Sequence, residues 1–252
     1  MTGDVYAAEL PPEMIYDGKP IDALCFEAVS ADEWVDISTC AKRTIIPLPD
    51  KAEAWTADKI GYYYRYKEDA SDAVSYSYYQ YVGQWNGAAV VVSYGSGGGT
   101  GQFTSLVSIE RNARNIRVLQ GFGAGDRCNG GIVDAKLSFG TLSYGQNMTP
   151  IDFLQIAGDN PHDLQPYDDL EASAASCFGV ARFEDEKFVG VTLADAPQPA
   201  DPATSYKYQE CFNRLFRAAR EKGKKELSVS ELKEFTGEFN AVCAADAQEK
   251  LQ

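Results

Sequence analysis

From about residue 60 to residue 193, apolar and polar positions alternate with the period of a β-strand, and turn chemistry interrupts them at short intervals. In "DAVSYSYYQYVGQW" the apolar phase runs through Val74, Tyr76 and Tyr78 and then slips to Tyr79 and Tyr81, which predicts a β-bulge. Asn86-Gly87 follows, a pair that tolerates positive φ at both positions, and "AAVVVSY" returns, so a two-residue hairpin is predicted there. "QFTSLVSIE" alternates through Phe103, Ser105, Val107 and Ile109, "NIRVLQ" comes next, and "IVDAKLSFG" puts Val133, Ala135, Leu137 and Phe139 on one face. "SCFGVARF" and "KFVGVTL" flank "EDE" as a further hairpin, with Phe183 and Phe188 near its tip. Helical periodicity is scarce before residue 200.

"ADAPQPADPAT" at 194–204 cannot continue a central strand and reads as a linker. Beyond it Tyr208, Cys211, Phe212, Leu215, Phe216 and Ala219 recur at helical spacing, with Gly223 as the stop. Ser228 then offers an N-cap with Glu231 three residues on, Leu227 and Leu232 fit a hydrophobic staple, and Leu232, Phe235, Phe239 and Val242 form a second stripe. The expected fold is therefore α+β: a mainly antiparallel, sandwich-like meander over 1–193, a linker at 194–204, and a helical hairpin over 205–252 docked on the β region.

Composition narrows the partners. The chain has 252 residues and a net charge of −14, so its field repels phosphate backbones and anionic lipid surfaces; nucleic acid is excluded as a partner. No apolar run approaches the roughly 20 residues of a spanning helix, so no membrane insertion is expected. "MTGDVYAAELPPEM" has neither a basic nor an apolar leader region, which leaves a cytoplasmic protein or a mature chain whose export signal was removed. Six cysteines, an even number without CxxC spacing, favour export to the bacterial periplasm or beyond it.

Antiparallel packing of the two C-terminal helices brings Cys211 and Cys243 to nearly one level, which suits a clamp. Cys128 sits in "QGFGAGDRCNGG", where glycines let the backbone turn tightly and approach another segment, and Cys177 in "AASCFGVA" is its expected partner. Cys25 and Cys40 pair by elimination. The competing role for Cys128 is a thiolate next to His162 and Arg127. "CNGG" resembles a string holding a structural disulfide cysteine in papain-like cysteine proteases. The "CGSC" segment that carries that family's nucleophile is absent, and no membership follows.

Other constellations lack specificity. Asp159, Asp163, Asp168, Asp169 and Glu171 crowd His162, enough oxygen to suggest calcium or paired-carboxylate hydrolysis, yet Asn-Pro and Gln-Pro mark a solvated loop. With one histidine in the chain, His-rich catalytic metal sites are largely excluded, and neither a metal nor a cofactor is expected. "SYGSGGGTGQ" has no following Lys-Ser/Thr and joins two strands, so it reads as a loop and not a phosphate cradle. Arg214, Arg217, Arg220, Lys222, Lys224 and Lys225 gather near one helix end, either as a patch for an acidic partner or as partners of the helix dipole. Tyr64, Tyr66, Tyr76, Tyr78 and Tyr81 lie on strands, where alternation must send some of them away from the core. A sheet covered on both faces is the competing arrangement.

The expectation from sequence is an exported, disulfide-stapled protein that works by binding a protein or carbohydrate surface. Its contact residues are the strand tyrosines or Arg214 and Arg217. The alternative is a secreted hydrolase using the loop at 159–171, or a thiol enzyme using Cys128. Catalytic motifs fail one by one, so the reading leans away from an enzyme.

Overall fold

The computed structural model describes residues 11–31, 33–40, 46–47, 64–67, 75–97, 99–157, 170–195 and 207–244. The chain forms two compact units, one reaching to Ala124 and including Ala135–Leu142, the other comprising Gly125–Asp134 and the chain from Ser143 onward. The architecture is α+β and mostly antiparallel sheet, as its alternating strand pattern requires.

The first unit begins with a 3-10 turn at Pro12–Met14, then β1 (Ile15–Tyr16), β2 (Lys19–Pro20), α1 (Ala23–Ala28), β3 (Val35–Asp36) and α2 (Ile37–Cys40). It continues through β4 (Ile46–Pro47), β5 (Tyr64–Lys67), β6 (Ser75–Trp85), β7 (Ala88–Ser96), β8 (Phe103–Asn112) and β9 (Asn115–Asp126). These build a seven-stranded sheet in the order β3-β9-β8-β7-β6-β5-β4. The β6–β7 turn is Asn86-Gly87 with φ of 50° and 81°, as its sequence demands.

Cross-strand register places Tyr79 beside Ser93, and Tyr81 beside Val91, which in turn faces Val107. Together with Phe26, Ile37, Ala89, Ile109 and Ile116 these side chains make one core. The opposite face of the same strands is also covered: Val90, Val92, Leu106 and Ser108 are buried. That explains why the apolar phase slips at Tyr79. Aromatic side chains leave β6 on both faces, Tyr79 fully buried and Tyr78 half-buried, so the slip is no bulge; the register shift falls later, between Tyr81 and Gly83. Gly83 has φ of 150°, and a Cβ there would lie 2.8 Å from Leu137 Cδ2, so the missing side chain lets Leu137 pack against β6.

The N-terminal segment is fastened twice. Cys25 and Cys40 join α1 to α2, with Cα atoms 5.0 Å apart. Arg111, on the core face of β8, donates Nη1 to the carbonyls of Pro12 (2.9 Å), Glu13 (2.7 Å) and Ile15 (2.6 Å). One guanidinium thus gathers three carbonyls of the irregular N-terminal turn, one of which, Pro12 O, also accepts from the N–H of Ile15.

A five-stranded sheet in the order β10-β11-β12-β13-β14 is made of β10 (Ile132–Ser138), β11 (Thr141–Met148), β12 (Gly179–Glu184), β13 (Lys187–Leu193) and β14 (Glu226–Leu227), and all of it but the hairpin stretch Ala135–Leu142 belongs to the second unit. Among the described residues three helices accompany it: α3 (Pro150–Ile156), α4 (Lys207–Glu221) and α5 (Val229–Phe239). Phe153, Phe178, Phe212, Phe216, Phe235 and Phe239 fill its core with Ala181, Val191 and Leu193 from β12 and β13. Their rings meet edge to face, for example Phe178 on Phe212 at 5.4 Å and 78°, the arrangement ring quadrupoles favour.

Helix termini follow their sequence signals. Gly223 (φ 80°) ends α4 in a Schellman turn, its N–H donating to Arg220 O and that of Lys224 to Ala219 O. Ser228 and Glu231 form the reciprocal capping box of α5, and Leu227 and Leu232 are both buried.

Several local expectations are corrected. The glycine-rich 120–126 is the end of strand β9, whose neighbour in the sheet beyond the short β3 is β8. Phe139 leaves the strand face: it is the first turn residue of the β10–β11 hairpin, with φ of 51°. Val242 is exposed because the chain closes a π turn at Asn240–Ala244 that turns Cys243 inward instead. Short helices also precede residue 200, among them α3, where Asp152 Oδ2 accepts from the N–H (2.7 Å) and hydroxyl (2.6 Å) of Thr149. Residues 196–204, most of the expected linker, lie outside the described residues.

Candidate functional site

Cys128 lies in a loop whose every turn is hydrogen-bonded. Asp126 and Asn129 exchange backbone N–H···O bonds of 2.9 Å each, Gly131 N–H donates to Arg127 O (3.0 Å), and Cys128 N–H donates to Ala174 O (3.1 Å). Asn147 Nδ2 donates to Arg127 O as well (3.0 Å), which helps hold Arg127 at φ 46°. A Cβ on Gly125 would run into the backbone of Asn129 and Gly130, and one on Gly131 into that of Arg127. The glycines are there so that the chain can close on itself. The cysteine at the centre is 7% exposed and bonded to Cys177, with Cα atoms 4.7 Å apart. Cys211 joins Cys243 across the C-terminal helices at 5.8 Å, so the three cross-links are the pairs inferred from sequence. With its sulfur in that bond, Cys128 offers no thiolate.

The strand tyrosines divide. Tyr79 is fully buried, its ring 4.5 Å from that of Phe26. Tyr78 points to the other face, half-buried and stacked on Tyr94 with 4.3 Å between ring centroids and 7° between planes. Tyr81 is half-buried on the core face; burial, and then the negative charge of Glu13, push its hydroxyl pKa up. Tyr64, Tyr66 and Tyr76 are on β5 and β6, and their side chains lie outside the described residues.

On α4, Arg214 Nη2 donates to the Cys211 sulfur (3.1 Å) and Arg217 Nε to Asn213 O (3.3 Å); both residues are exposed. Arg220 donates to Asp195 (2.6 Å) and to Lys224 O (3.1 Å), and Lys224 pairs with Glu231 (2.8 Å). The cations at this helix end are therefore partly spent on capping and ion pairs. Glu231 is held down at about 2, first by the Lys224 hydrogen bond and then by those from Ser228. His162 with Asp159, Asp163, Asp168 and Asp169 lies outside the described residues; Glu171, at the edge of that stretch, donates its N–H to the buried Gln209 Oε1 (2.8 Å). Among the described residues no cluster of His, Cys, Asp or Glu could hold a metal ion.

What sequence reasoning missed is at the hairpin tips. Phe139 is fully exposed, at 110% of its reference area. It occupies the first position of a turn whose two φ angles, 51° and 84°, match the 50° and 81° of Asn86-Gly87. One chain thus builds the same turn twice, once with the residue that suits it and once with a bulky aromatic that does not. The "FG" dipeptide between alternating strands carried that signal. Among the described residues, three more large apolar side chains of the first unit face solvent: Leu119, Phe103, and Trp34, which Arg117 covers at 4.7 Å.

A cleft of about 340 Å³ opens beside the β6–β7 turn, floored by Ala89 and Ile109, with Glu13, Gln84, Arg111 and Leu119 on its walls. No protein family, no curated protein and no solved structure matches this chain.

Proposed function

We propose that this chain is an exported, disulfide-stapled binding protein that recognises a protein surface. The observation that carries the reading is Phe139, an aromatic held fully in solvent at a left-handed turn position. Folding gains nothing from it, since the ring buries no area and the backbone pays for its conformation. Binding does gain, because an aromatic on a rigid hairpin enters a partner's apolar pocket with little entropy left to lose. The half-buried Tyr78–Tyr94 stack and exposed Arg214 and Arg217 are the further contact residues of this reading.

Export is supported by three cross-links, one in the first unit and two in the second, a density suited to an oxidising compartment. A net charge of −14 disfavours nucleic acid and anionic membranes as the partner. Among the described residues no helix is long and apolar enough to cross a membrane. The test is a photo-crosslinking amino acid placed at position 139, and separately at exposed Ser230, in cells that make the protein. A discrete adduct from 139 that is missing from 230 is expected; no adduct, or the same adducts from both, would refute the reading.

A further inference from the structure

We infer that the cleft beside the β6–β7 turn is a binding site for a free α-amino acid with an apolar side chain. The assignment is independent of the binding-protein reading, since it requires neither export nor a protein partner. A cleft of about 340 Å³ is large enough for a small molecule. Its floor, Ala89 and Ile109, is buried and apolar, and Leu119 stands over it half-exposed to solvent.

Two opposite charges line the same cleft without pairing with each other. Glu13 receives a hydrogen bond from Gln84 Nε2 on Oε1, and its Oε2 has no partner among the described residues. Arg111 spends Nη1 on three backbone carbonyls and Nε on Ala113 O, and its Nη2 has no partner among the described residues. The third charged residue of the lining, Glu110, is already neutralised by Arg117 at 2.7 Å. What remains is one carboxylate oxygen and one guanidinium nitrogen of two half-buried residues lining one cleft, opposite in charge and each open to a ligand group of the other sign.

A ligand of one sign satisfies only half of this arrangement. A cation would leave Arg111 unmatched, and an anion would also meet the field of a protein carrying −14. A zwitterion satisfies both halves at no net charge: its ammonium donates to Glu13 Oε2, its carboxylate accepts from Arg111 Nη2, and its side chain lies over Ala89, Ile109 and Leu119.

The test is calorimetry of the intact chain with L-leucine, with 4-methylpentanoate, which lacks the ammonium, and with isopentylamine, which lacks the carboxylate. Leucine should bind at least about tenfold tighter than either analogue, the usual size of one charged hydrogen bond. Glu13→Gln keeps the shape and should weaken leucine about tenfold without weakening 4-methylpentanoate, which loses a like charge from the cleft. Because the comparison runs across ligands on the unaltered protein, it does not depend on a variant folding. No binding of leucine, or equal binding of all three, would overturn the assignment. Tighter binding of glycyl-leucine, which sets its two charges further apart, would overturn the choice of a free amino acid over a peptide.

Discussion

Replacing Phe139 by Asn alters a turn whose backbone is already the one asparagine prefers. The φ of 51° at Phe139 and 84° at Gly140 reproduce the 50° and 81° of Asn86-Gly87 in the same chain. For an L-residue with a bulky side chain the left-handed region costs about 1–2 kcal/mol, and asparagine recovers part of this through its local hydrogen bonding. No burial is lost on the other side of the balance, because the ring is fully exposed. The substitution should therefore stabilise the folded chain by about 1 kcal/mol, or raise Tm by about 2–4 °C for a protein of this size. Urea titration followed by fluorescence, with hydrogen exchange on the β10–β11 hairpin, reads both the whole and the local effect. A loss of about 1 kcal/mol or more would mean that the ring rests on its own protein, and the reasoning from exposure to contact would fail. If the gain is seen, the wild-type residue is kept at a cost to folding.

Three further outcomes follow from the same structure. Glu231 has its pKa lowered from 4.5 to about 2, so its ion pair and cap stabilise fully above pH 4.5 and are lost as pH falls toward 2; Glu231→Gln should flatten that acid limb in pH-dependent denaturation. Ser77 Oγ is buried without a hydrogen bond among the described residues, so Ser77→Ala should be neutral or stabilising by up to about 1 kcal/mol in a urea titration; a clear loss would reveal a missing partner. Removing the cross-link of Cys128 and Cys177, 49 residues apart, by double substitution with Ala should cost about 4 kcal/mol in the same titration on the chain-entropy estimate.

The fold was legible wherever one local rule sufficed. Asn86-Gly87, Gly223 and the Ser228–Glu231 box each act within a few residues, and each does in the structure what its chemistry predicts. The slip at Tyr79 misled because alternation reports a face only when the other face is wet, and on β6 Tyr78 is half-buried on the face opposite the buried Tyr79. Helix α3 was written in Thr149-Pro150-Ile151-Asp152, a cap whose helix is too short to show a periodic stripe. The glycines around Cys128 spoke of a tight approach, and Ala174 and Asn147 are what they approach. Arg111 could not be read at all: its role depends on carbonyls about a hundred residues earlier, brought under its guanidinium by the sheet. For the candidate contacts the signal was present and misread, since Phe139 completes the alternation of β10 on paper but belongs to the turn.

All six cysteine sulfurs are spent on cross-links, which leaves Cys128 without a thiol for nucleophilic chemistry. Mass spectrometry after alkylation of naturally produced protein, denatured without reductant, tests it directly. An unmodified mass is expected, with six adducts only after reduction. An adduct on Cys128 before reduction would contradict it.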